Sequence, residues 1–350
     1  MNKWTIREKF RIVQEISSST FSRLVELENL RTKKRLAAKY VEFGNIPNHD
    51  RIKQESMFMS IVTGQVGFPK FYSFQEETDL SIILMELYGK SLSTLFHENS
   101  HSFSLKTVLI IAIQLLNSLE YLHNRSIVHR DIKPENIVIG LGSNYNQFIL
   151  VDYGLSLFYR DVNTHEIDPM VQQSTFIGTS RYASINTHLG LSPSPRDDLE
   201  SLAYMLIYFL KGSLPWQKVS GNYLAGIKGF KRRISPEELC VGLIPEFAIF
   251  LNEVQQLPYE IVPNYSQYRS LFINAFIQNN FLYDCNYDWR TKILFSFSFP
   301  PPEQQKPKLP EKRRPLETTR SMTSIPIIPS RPRGRARGLP HAKSKAFFKQ

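Results

Sequence analysis

The chain has 350 residues, 42% of them hydrophobic, enough for one large domain or two packed lobes with a substantial core. Its two cysteines, Cys240 and Cys285, exclude a disulfide framework, and the opening MNKWTIREKF has no apolar signal stretch, so an intracellular protein, cytosolic or nuclear, is expected. The formal charge of +11 sits at one end: residues 301–350 carry thirteen Lys and Arg against three Glu, which leaves residues 1–300 close to neutral.

Strand patterns come first in chain order, in FRIVQEI, RLVELENL, RLAAKYVEF, PKFYSF and LSIILMEL, interrupted by one helical stretch, NHDRIKQESMFMSIV. Between the first two strands lies EISSSTFS, residues 15–22. A strand, a tight turn and a strand would suit a phosphate-binding loop, yet this turn has no glycine. It is either such a loop with serines for glycines or an ordinary hairpin, and the turn alone leaves both open.

Beyond about Leu87 the periodicity becomes helical. In SLKTVLIIAIQLLNSLEYLHNRS, Val108, Ile111, Ala112, Leu115, Leu116, Leu119 and Leu122 follow the three-and-four spacing of one buried face. RDDLESLAYMLIYFLKG predicts a second, more central helix. The apolar runs VLIIAIQLL and AYMLIYFL fall short of the roughly 20 residues of a membrane span and read as core helix. The expected class is α+β: a β-rich lobe over 1–87, a larger helical lobe over 88–299, and a tail over 300–350.

Nine of the 21 prolines and little apolar periodicity fall in residues 301–350, a composition that predicts disorder. RPRGRARG and EKRRP suit an acidic partner, an import receptor or nucleic acid, or serve only to solubilise. Thr318, Thr319, Ser321, Thr323 and Ser324 are candidate phosphoacceptors there. No cysteine lies near this end, so neither a lipid anchor nor a membrane partner is expected.

The chemistry lies in IVHRDIKPENIVI, with the H-R-D-x-x-x-x-N spacing of a phosphoryl-transfer loop. Asp131 would accept the attacking hydroxyl's proton, Lys133 would stabilise the moving phosphoryl group, and Asn136 would offer an oxygen to a metal. FILVDYGLS then delivers Asp152 at the end of an apolar strand, suited to Mg²⁺. LAAKY places Lys39 on the third strand, where it can reach phosphates, and QESMFM offers Glu55 to hold it, with Met59 one turn further on the same face.

These motifs resemble the protein kinase family. GTSRYASINTHLGLSPSPRDDLESLAYMLIYFLKGSLPWQ, at 178–217, looks like the casein kinase 1 family, with S-I-N where most kinases have A-P-E; MELYGKSLSTLF, FSLKTVLIIA and PNYSQYRSLF resemble the same family, so the similarity spans about residues 8–295. Vaccinia-related kinases are cousins that share D-Y-G. The resemblance implies a bilobal Ser/Thr kinase using ATP and Mg²⁺ on substrates with acidic or phosphorylated residues near the target. It implies Met85 as gatekeeper, Glu86 and Leu87 as adenine hinge, Asp198 as a brace for the catalytic loop, and Thr179 opposite Lys133. Arg181 matches the family's anion-binding arginine; Lys228 and Lys231, with Arg232 and Arg233, are its candidate partners, though a solvated basic face is the alternative.

By the same resemblance, Ser17, Ser19 and Ser22 stand where the family's phosphate loop has glycines. If held at positive φ, each would cost about 1–2 kcal/mol and weaken the grip on ATP. An active kinase with weakened nucleotide affinity is expected; the alternative is a pseudokinase scaffold that binds partners without efficient catalysis.

Overall fold

The computed structural model describes residues 6–19, 22–42, 46–77, 80–172, 175–219 and 223–290. All lie within Met1–Ser298, the first of two units into which the chain divides. The expected tail and its phosphoacceptors lie outside the described residues, as do Thr20 and Phe21 of the serine-rich turn.

After a single helical turn, α1 (Ile6–Lys9), the five expected strands form: β1 (Phe10–Ser18), β2 (Arg23–Asn29), β3 (Arg35–Glu42), β4 (Phe71–Glu76) and β5 (Leu80–Glu86), with helix α2 (Ile46–Val62) between β3 and β4. They make one antiparallel sheet in the order β1-β2-β3-β5-β4. Alternation sorts its side chains. Val25, Leu27, Ala38, Ile82 and Leu84 form a small cluster on one face, while Ala37, Val41, Ile83 and Met85 join the main core from the other. Lys39 has the parity of Ala37 and Val41, so β3 turns it toward the cleft beneath the sheet.

The helical lobe begins with α3 (Leu92–Glu98) and α4 (Leu105–Asn124), whose first turns are capped by the hydroxyls of Ser91 and Ser104. Short ladders follow: β6 (Ile127–Val128) pairs with β9 (Leu157–Phe158), and β7 (Ile137–Ile139) with β8 (Phe148–Leu150). Then come α5 (Ile185–Leu189), α6 (Pro195–Lys211), α7 (Tyr223–Lys231), α8 (Pro236–Leu239), α9 (Pro245–Gln256) and α10 (Tyr265–Gln278).

All seven apolar positions expected on the buried face of α4 are at most 2% exposed. Leu109 and Ile110 are buried too, because α6, α10 and β8 pack around the helix from several sides. The run VLIIAIQLL is short, but the whole helix reaches 20 residues and by length and composition alone is long and apolar enough to cross a membrane. Its partners are instead protein. Helix α6 is buried almost throughout, from Asp197 to Phe209, as its central placement required.

Candidate active site

The sheet side of the cleft delivers a lysine held from two directions. Lys39 Nζ donates to Glu55 Oε2 at 2.7 Å and Oε1 at 2.9 Å, and to Asp152 Oδ1 at 2.8 Å. Helix α2 buries Glu55 to 3% exposure and places Met59, equally buried, one turn on. Burial works against the Lys39 ammonium, but the two carboxylates outweigh it and raise its pKa. Burial likewise raises the Glu55 carboxyl despite Lys39. At Asp152 burial alone would act upward, yet Lys39 dominates and holds this carboxyl well below the usual range.

The helical side is fixed from below by Asp198, 2% exposed on α6. Its Oδ2 accepts the His129 N–H at 2.7 Å and the His123 Nε2–H at 2.9 Å, and its Oδ1 accepts the Arg130 N–H at 2.8 Å. His123 in turn hydrogen-bonds the Tyr265 hydroxyl from α10. The expected brace is thus a chain of buried contacts. Above it Arg130 has φ 71° and Asp152 φ 68°, left-handed values that cost non-glycine residues about 1–2 kcal/mol. Strain at these two positions marks where the fold holds geometry against local preference.

Between the walls lies Asp131. Its Oδ1 accepts the Thr179 hydroxyl at 2.7 Å; its Oδ2 accepts Lys133 Nζ at 2.6 Å and Asn136 Nδ2 at 3.2 Å. Lys133 also reaches Thr179 Oγ1 at 3.2 Å, and Asn136 Nδ2 donates to the Asp131 carbonyl at 2.9 Å. Thr179 gets there because Gly178, at φ 107°, passes so close to Arg130 that a Cβ would stand 2.7 Å from its carbonyl oxygen. Tyr153 is fully buried, its hydroxyl donating to Leu150 O at 2.9 Å and its ring packed edge-on to His129.

A cavity of about 300 Å³ joins these groups, with Ser19, Ser22, Lys39, Glu55, Asp131 and Asp152 among its walls. Met85 is buried at the end of β5 opposite Ala37, the Glu86 N–H donates to Lys70 O at 2.9 Å, and Leu87 follows half-buried where the lobes join.

The serine turn departs from expectation. Ser17 is not in the turn: it belongs to β1, pairs with Leu24 and is exposed. Neither Ser17 nor Ser19 has positive φ, so the strain expected of serine in glycine's place does not arise at these two positions. The turn instead closes on itself. Ser19 N–H donates to Ser22 O at 3.0 Å, Ser19 Oγ–H to the same oxygen at 3.1 Å, and Ser22 N–H to Ser19 Oγ at 3.0 Å. Two amides that a phosphate loop would offer to an anion are engaged within the loop.

Among the anion-site candidates, Arg181 is half-buried with its guanidinium 5.7 Å from the Tyr182 ring centroid and 5.6 Å from that of Tyr208. Lys228 is partly exposed, and Arg232 and Arg233 are exposed. Lys231 is a correction: it is 1% exposed and bonded to backbone carbonyls, because it follows Ile227 by one helical turn and shares its buried face. It is not offered to a substrate.

Arg51 escaped the sequence argument. It lines the same cavity and its Nε donates to Gly154 O at 3.0 Å, tying α2 to the segment after Asp152. Its position one turn before Glu55 was the available signal.

The family model described as protein kinase domain matches residues 10–244, from the first strand through the cleft to the connection before α9. With that match spanning well over half of the 350 residues, and the bilobal fold around it, the chain belongs to the protein kinase domain family.

Proposed function

We propose that this kinase is an active Ser/Thr enzyme of the casein kinase 1 type, transferring the γ-phosphate of ATP to Ser or Thr of acidic or phosphate-primed proteins. The observation that carries the proposal is the Asp131 carboxylate held between Lys133 and the Thr179 hydroxyl, across from a Lys39 already paired with Glu55. Each group stands in its working orientation before any substrate arrives.

A protein kinase domain implies ATP, usually with Mg²⁺. Asp152 and the amide oxygen of Asn136 are hard donors that fit this cation, since the Asn136 nitrogen is spent on Asp131 and leaves the oxygen to ligate. When bound, the cation supplies neutralising charge on the phosphate oxygens. In the transfer itself the acceptor hydroxyl oxygen bonds to the γ-phosphorus as the bond to the β–γ bridging oxygen breaks. Asp131 takes the hydroxyl proton, Lys133 stabilises charge on the transferring group, and Lys39 steadies the phosphates.

The S-I-N-T-H-L-G run supports the casein kinase 1 assignment, and Arg181, beside the Thr179 segment, supports recognition of an anionic substrate. The test is Mg-ATP-dependent transfer to casein and to a phosphoserine-primed peptide, with Asp131→Asn as control. Transfer that vanishes in the control and favours the primed peptide supports the proposal; a folded protein with no transfer over a wide ATP range overturns it.

One observation favours the scaffold alternative, the Ser19–Ser22 closure that engages two loop amides. Absence of Mg-ATP binding at millimolar concentrations would establish that reading. For the basic tail we propose binding to an acidic partner, an import receptor or nucleic acid in the cytoplasm or nucleus, with its phosphorylated form docking at Arg181. A chain ending at Phe299 that binds and acts like the full chain, before and after autophosphorylation, would remove the tail from the mechanism.

A further inference from the structure

Two buried charges of opposite sign lie behind the segment that follows Thr179, and the transfer chemistry uses neither. Lys231 Nζ donates to Ser180 O at 3.1 Å and Ala183 O at 2.5 Å, with the rings of Tyr204 and Trp216 centred 4.5 and 4.9 Å away. From α6, Glu200, 1% exposed, accepts the Ile185 N–H at 2.9 Å and the Tyr204 hydroxyl at 2.7 Å, both on Oε1. Trp216 Nε1–H donates to Arg181 O at 2.8 Å. The carbonyls of residues 180, 181 and 183 and the amide of residue 185 are therefore all gripped by side chains from α6, α7 and the turn between them.

Burying a lysine and a glutamate is unfavourable, and apolar groups of similar volume would pack against Tyr204 and Trp216 at less expense. What the pair adds is hydrogen bonding to the Ala183 carbonyl and the Ile185 amide, in a stretch leading into α5, and a second donor to the Ser180 carbonyl beside His188 Nε2. That stretch begins at Thr179, whose hydroxyl touches the base Asp131, and carries Arg181. An acceptor peptide delivering its hydroxyl to Asp131 must lie along it. A displacement of about 1 Å here would misplace the acceptor while leaving Lys39 and Asp152 where they are.

We propose that Lys231 and Glu200 are positioning residues that fix the acceptor-binding segment Ser180–Ile185 against the catalytic loop, governing protein substrate and not nucleotide. The proposal rests on the kinase reading of the cleft. Burial lowers the pKa of Lys231 and raises that of Glu200, each opposed by the other's charge, so both are held in place at a cost in solvation.

The test uses the full chain with Lys231→Met, Lys231→Arg and Glu200→Gln, measuring KM for peptide and for ATP together with hydrogen exchange at the bonded amides of Tyr182, Ala183 and Ile185. The expected result for Lys231→Met is a peptide KM raised about tenfold, an ATP KM unchanged, and faster exchange at these amides. Lys231→Arg should restore part of the loss. Parallel changes in both KM values, or unchanged exchange, would overturn the proposal. Should Lys231→Met not fold, Glu200→Gln, which keeps volume and an acceptor oxygen, decides by the same split. If the wild-type chain transfers no phosphate, the kinase proposal falls and exchange alone decides this one.

Discussion

The two walls of the cleft are held in different ways. On the helical wall, the catalytic loop and the segment after Thr179 are anchored through buried contacts to α6 and α7: Asp198 and Glu200 of α6 tie the backbone at His129, Arg130 and Ile185, while Lys231 of α7 ties the Ala183 carbonyl. On the sheet wall, Lys39 is equally well held, and the serine turn above it carries hydrogen bonds of its own, from Ser19 to Ser22. On the proposed kinase reading, the groups for proton transfer and acceptor placement are thus preorganised by the core, whereas the nucleotide-facing rim engages two of its amides within the turn itself. Weak nucleotide binding with intact chemistry is the combination this contrast predicts.

The strongest way to break the comparison is at the base. Asp131→Asn should lower phosphate transfer by about a hundred- to ten-thousandfold with the thermal midpoint nearly unchanged. Transfer within threefold of wild type would mean that the helical wall does not do the chemistry. Next in size, Asp198→Ala leaves two loop amides buried without their acceptor and should lower unfolding free energy by on the order of 3 kcal/mol, read from denaturant midpoints. A loss below about 0.5 kcal/mol, the range of ordinary surface changes, would show that the anchoring is not carried there.

The sheet wall responds in the opposite direction. Ser19→Gly removes the hydroxyl that occupies the Ser22 amide, and calorimetric titration should show Mg-ATP binding tightened by up to about fivefold, since one hydrogen bond is worth about 1 kcal/mol and glycine's extra freedom offsets part of it. Unchanged or weaker binding would refute the self-bonded turn as a cause of weakened nucleotide affinity.

The smallest effect concerns pH. Burial, with Lys231 and Lys228 nearby, lowers the His188 pKa from its ordinary 6.5 to about 4 while its Nε2–H donates to Ser180 O. Between these values the folded chain binds fewer protons at this site than the unfolded chain, so its contribution to stability falls as pH falls from 6.5 to 4. His188→Gln should flatten that part of the stability profile, and an unaltered slope would assign it to other groups.

Much of this was legible in the chain because it rests on periodicity and spacing. The strand pattern of LAAKY put Lys39 on β3, and the three-and-four pattern of Val108 to Leu122 found the buried face of α4. The spacing from His129 to Asn136 brought base and amide together. What escaped depends on where a side chain goes within a short polar stretch. IKGFKRRIS reads as a basic surface, and only the four-residue step from Ile227 shows that Lys231 turns inward. The serines could be aligned with glycines, but that Ser17 stays in β1 and that Ser19 reaches Ser22 are facts of turn geometry that composition does not encode.

Helix α4 carries a consequence for how the polypeptide is made. A stretch apolar enough in length and composition to enter a lipid bilayer is covered chiefly by α10 and α6. Its larger partner, α10, leaves the ribosome roughly 140 residues later, an interval of about 7–30 s at ordinary translation rates. For that time the growing chain presents a sticky surface that β6, β8 and, once made, α6 cover only in part. Heat-shock chaperones or the membrane-targeting machinery would meet it first, so the yield of this protein should depend on chaperone supply more steeply than the stability of the finished fold suggests.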